Sequence, residues 1–100
     1  MNETLRQAVY SRAASDNPHL PPAAQQALAE KLLSLSPELL PNLAEWACGL
    51  PLSDIPVRGK YTVRAVLAIR RDSDVPSALL ALDAYAKDPA QEFRVWRMKL

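Results

Sequence analysis

Along this chain, apolar stripes at helical spacing alternate with proline-bearing breaks, and the stripes predict a succession of short helices. Leu5, Ala8 and Val9 fall at i, i+3 and i+4, the spacing that gathers side chains on one face of an α-helix. Asn2 suits the N-cap of that helix and Glu3 the positive end of its dipole; Ser15-Asp16-Asn17-Pro18 should end it. Pro21-Pro22 then opens a second helix. Its stripe is Ala24, Ala27, Leu28, Leu32 and Leu35, with Gln25, Gln26, Glu30 and Lys31 across from it, the clearest amphipathic pattern in the chain.

Ser36-Pro37-Glu38 combines an N-cap residue, a first-turn proline and a first-turn acid. Pro41 lies too deep for one regular helix starting at Pro37, because its ring would strain the preceding turn. The pattern therefore predicts a short turn or kink, then a helix from about Pro41 to Cys48. Leu39, Leu43, Trp46, Ala47 and Leu50 should line one face, and Gly49 is placed to end the helix in the left-handed conformation. Between 50 and 60, Pro51, Pro56 and Gly59 forbid a long helix, while Leu52, Ile55 and Val57 are too apolar to lie free in water. An irregular loop with a few anchored side chains fits best, and the alternation of Ile55 and Val57 leaves a short two-stranded element open.

From Tyr61 or Thr62 a fourth helix runs through Ile69. Arg64 alone interrupts its apolar surface, so it should be largely buried and held by packing, its β-branched residues being weak helix formers. Asp72-Ser73-Asp74 caps a fifth helix, with Pro76 in its first turn and Val75, Leu79, Leu82 and Ala86 as its stripe. Asp88-Pro89 repeats the start signal for a last helix, although Val95, Arg97 and Lys99 also alternate. The fold expected is all-α: a compact orthogonal bundle of five to six short helices in a single domain over 1–100, with Leu43, Trp46 and Leu67 in its central core.

Composition narrows the function classes. The formal net charge of +1 argues against strong nonspecific attraction to nucleic acid or anionic membrane. The single cysteine, Cys48, excludes an internal disulfide and suits a reducing compartment. Met1-Asn2-Glu3-Thr4 lacks the basic head and apolar run of a signal peptide, and the apolar run 65–69 is far shorter than the roughly 20 residues of a membrane span. A cytoplasmic location is the expectation.

No stretch carries a catalytic signature. His19, the only histidine, sits between Pro18 and Pro21 and should cap a turn; one histidine with one distant cysteine gives no metal-ligand spacing. Cys48 near a helix C-terminus faces the negative dipole end, which makes an inert, partly buried thiol the better reading. Glu30, Glu38, Glu45, Asp54 and Asp83 are scattered singly, and neither glycine belongs to a phosphate-cradling loop. No catalytic residue, metal or cofactor is assigned.

Two segments carry binding chemistry. Arg58, Lys60, Arg64, Arg70 and Arg71 form one basic run without an acid between Val57 and Asp72. Lys60, Arg64 and Arg71 would share a helical stripe able to meet phosphates, or the run is a solvated edge neutralised by Asp54, Asp72 and Asp74. At the other end, Phe93, Trp96, Arg97 and Met98 concentrate residue types enriched at protein interfaces, or Phe93 and Trp96 close the core.

The order Leu43-Ala44-Glu45-Trp46-Ala47-Cys48-Gly49-Leu50, then Asp54-Ile55, then Tyr61-Thr62-Val63-Arg64, resembles the helix-turn-helix of bacterial transcription regulators. That resemblance implies a helix ending at Gly49-Leu50, a second marked by Asp54-Ile55, a recognition helix opened by Thr62-Val63, and DNA as the partner. The chain departs from the pattern at Pro51 and Pro56, which bracket the middle helix, and in a Gly49-to-Thr62 spacing about one helical turn short. Its would-be recognition helix also offers few polar side chains for base edges. The expectation is a non-catalytic module for protein–protein interaction or self-association, with a DNA-binding accessory protein using 43–71 as the alternative.

Overall fold

The computed structural model describes residues 3–57, 62–70 and 74–87. Within them the chain forms five α-helices and one 3-10 turn: α1 (Glu3–Asp16), α2 (Pro22–Leu33), the turn Pro37–Leu39, α3 (Leu40–Ala47), α4 (Val63–Arg70) and α5 (Val75–Lys87). The all-α class is as the pattern predicts. Asn2 and the last helix expected after Asp88 lie outside the described residues.

Proline sets most of the helix starts. Pro22 and Pro37 each occupy a first turn, where a missing amide hydrogen costs nothing. The Pro21 carbonyl accepts the amides of Ala24 and Gln25. Ser36 holds the N-cap position of the 3-10 turn but makes no side-chain cap; its hydroxyl is turned to a distant partner, Asp83. Thr62 caps α4, its Oγ1 accepting the Ala65 amide at 3.0 Å.

α3 ends in a Schellman arrangement. Gly49 takes φ +71°, the Leu50 amide donates to the Glu45 carbonyl at 2.8 Å, and the Gly49 amide to that of Trp46 at 3.2 Å.

α1 and α2 pack as an antiparallel pair, placing Ala14 beside Gln25 and Tyr10 beside Glu30. α3 lies against α1, α4 against α5, and α5 lies beside α2, with Asp83 bonded to Ser36 just past the end of α2. One buried cluster draws on all of them. It includes Val9 and Ala13, Ala29 and Leu32, Leu39, Leu43 and Trp46, Val63 and Val66, and Ala78, Leu79 and Leu82.

Several faces differ from the sequence pattern. Ala27 is exposed while Ala29 is buried, and Gln25 is half-buried because its amide donates to the carbonyls of Asn17 and Ala14. Among its described side chains, α4 is buried through Val63 and Val66. Arg64 and Ala68 are exposed, and Leu67 is half-buried at the edge of the buried cluster rather than central to it. Leu50 is exposed rather than continuing the α3 stripe. Cys48 is exposed too: it stands two positions past Trp46, about 200° around the helix from a core-facing residue. Residues 50–56 carry neither helix nor strand, so the middle helix implied at Asp54-Ile55 is not formed there. Val57 anchors this segment in the core, with Leu52 and Ile55 half-buried.

Candidate interaction surface

The basic run and the C-terminal aromatics fall mostly outside the described residues. Arg64 is exposed on α4, and Arg70 ends that helix with its side chain outside the description. Arg58, Lys60, Arg71, Phe93, Trp96, Arg97 and Met98 lie beyond it altogether. His19 is exposed in the turn between α1 and α2. Among the described residues no group of three or more His, Cys, Asp or Glu could hold a metal ion, and no helix is long and apolar enough to cross a membrane.

The described surface instead centres on the end of α3. Leu50 is 58% exposed, the large apolar side chain that stands out into solvent among the described residues. In a Schellman ending, the residue after the glycine commonly packs against an apolar side chain three positions from the helix end. Here that position is Glu45, whose carboxylate is committed to Ser53 and Asn42. Beside Leu50 lies a cleft of about 200 Å³ lined by Arg12, Trp46, Gly49, Leu50, Leu52 and Val75.

Arg12 forms one wall of that cleft. Its guanidinium carbon sits 5.2 Å from the Trp46 ring centroid, Nη1 donates to the Trp46 carbonyl at 2.6 Å, and Nε pairs with Asp16 at 2.8 Å. A cation at that carbonyl complements the negative end of the α3 dipole. The guanidinium is thereby fixed by three partners, and Trp46 stays buried beneath it.

Two carboxylates hold neighbouring segments together. Glu45 Oε1 accepts the Ser53 amide at 3.0 Å and the Asn42 side-chain amide at 2.7 Å, while Oε2 accepts the Ser53 hydroxyl. Asn42 Nδ2 also donates to the Ser53 carbonyl at 3.2 Å. The bonds from the Ser53 hydroxyl and amide hold the Glu45 carboxyl below the usual range, outweighing what burial would do. Asn42 is fully buried, and its Oδ1 has no hydrogen-bond partner.

Asp83, on α5, accepts the Ser36 amide at 2.9 Å and hydroxyl at 2.7 Å on Oδ1, and its Oδ2 pairs with Lys87 at 2.9 Å. Burial pushes this carboxyl up, but Lys87 and Ser36 together bring it below its ordinary value. These bonds line an open groove of about 540 Å³ between α2 and α5 with charges of both signs, Glu30, Lys31, Asp83 and Lys87.

None of these pairs was legible as a site in the sequence, where the acids stand singly. Arg12 and Trp46 are 34 positions apart, Ser36 and Asp83 47. The one local signal was Gly49, which places Leu50 just past a helix end. No family model, curated protein or solved structure matches this chain, so its chemistry is read from these residues alone.

Proposed function

We propose that this chain is a non-catalytic, cytoplasmic self-association module whose contact surface is built around Leu50. The observation that carries the reading is that Leu50 stands 58% exposed on the rim of a cleft with mixed polar and apolar lining. An exposed apolar side chain bordered by a polar residue such as Arg12 follows the apolar-centre, polar-rim arrangement of interfaces. A second copy is the partner that fits most directly. A two-fold contact sets the same patch against itself, so Leu50 needs no complementary surface elsewhere. A net charge of +1 leaves little repulsion between copies. The two buried-side carboxylates are tied up in structural hydrogen bonds, which supports binding over catalysis.

Light scattering on a size-exclusion column tests this. The wild-type mass should rise toward that of a dimer with concentration, and Leu50→Asp should remain a monomer. Because Leu50 is exposed, the variant should keep its stability to within about 0.5 kcal/mol. A wild-type mass that stays monomeric up to millimolar concentration overturns self-association. A salt-sensitive complex with duplex DNA in the same run would move the contact to the basic segment 58–71.

A further inference from the structure

The segment from Leu50 to Val57 is tied to the body in an uneven way. Pro51 and Pro56 have no amide hydrogen, and among the described residues no backbone–backbone hydrogen bond involves positions 51–56. The polar attachment of this stretch converges on Ser53, whose amide, hydroxyl and carbonyl are all engaged by Glu45 and Asn42. At its far end Val57 is buried in the core and carries a β-bridge, while Leu52 and Ile55 are half-buried. Between the fixed ends Leu50 and Val57, residues 51–56 are held by one polar fastening point, and such a stretch opens at lower free energy than the helices around it.

A second observation favours opening. With the segment in place, Asn42 Oδ1 is buried without a donor. An orphaned acceptor raises the free energy of the closed arrangement, and water entering as the segment lifts would satisfy it.

We propose that residues 51–56, held between the fixed points Leu50 and Val57, form a strap that opens as a local unit, with Glu45 and Ser53 as its catch. In the closed state Ser53 is held on α3 and Leu52 lies against the cleft beside Trp46. In the open state the Ser53 bonds break together, Asn42 is hydrated, and the cleft widens along its Leu52 wall while the helices stay folded. The inference deepens the self-association reading, since the strap follows directly on Leu50 and its position sets the shape of that surface.

Native-state hydrogen exchange on dilute monomer tests the strap independently of any association. The Ser53 amide should exchange through an opening that is insensitive to low denaturant. The central amides of α2 and α5 should exchange more slowly, with the steep denaturant dependence of global unfolding. Ser53→Ala keeps the backbone amide and its Glu45 acceptor but removes the hydroxyl bond. Exchange at position 53 should rise about tenfold in that variant, as loss of one hydrogen bond to a charged group implies. A Ser53 amide that follows α2 in both rate and denaturant dependence overturns the proposal, as does an unchanged position-53 rate in Ser53→Ala. Should that variant fail to fold, the wild-type comparison alone decides.

Discussion

Trp46 brings several kinds of interaction together in one residue. Its ring is buried in the core cluster, Arg12 lies over it, and its carbonyl accepts both Arg12 and the Gly49 amide. Replacing it with alanine empties a large aromatic site and leaves the Arg12 guanidinium without its ring. Trp46→Ala should therefore cost about 3–5 kcal/mol, and a thermal midpoint within a degree or two of wild type would show that the site collapses without penalty. Asn42 makes the opposite point. It is as buried as its leucine neighbours, yet it serves the strap rather than the core, through two bonds from a single amide nitrogen.

Among the elements, the end of α3 has the most sharply defined chemistry. Gly49 is at φ +71°, and a Cβ there would meet nothing within 4 Å. Substitution is thus a matter of backbone strain alone. Gly49→Ala should cost about 1–2 kcal/mol by denaturant titration, and Gly49→Asn distinctly less, because asparagine tolerates the left-handed region. Equal costs for the two would mean that the helix end re-forms differently.

This element was legible in the sequence, and so were the starts at Pro22 and Pro37, because proline and glycine act on the chain within a turn of themselves. The helix faces were read less well. In α2 alanines stand at 23, 24, 27 and 29, and a residue that small says little about which side is inward. The position of Ala29 in the core follows from where α1 and α5 lie. The fastenings at Ser53 and Ser36 were not legible at all. Serine before proline reads as a cap, and only the folded chain shows that Asp83 takes its hydroxyl.

At the scale of the whole molecule, two of the described carboxylates link stability to pH. Glu45 and Asp83 both sit below their ordinary values when folded, so the folded state favours their ionised forms. Their contribution is present above the unfolded carboxylate pKa of about 4 and is lost as pH falls through the lower folded values. Urea midpoints should thus decline between about pH 5 and pH 2, and the decline should be shallower in the pair Glu45→Gln and Asp83→Asn. An identical slope in that variant would assign the acid sensitivity to other groups.

The amide of Gln25 has a consequence for how the chain assembles. It reaches back 8 and 11 positions to the carbonyls of Asn17 and Ala14, covering the end of α1 while α2 begins. Closing a short loop costs less chain entropy than closing a long one, and the Ser36–Asp83 contact must span 47 positions. The α1–α2 hairpin can therefore nucleate on the growing polypeptide before α5 has been synthesised, giving the later helices a formed surface on which to condense.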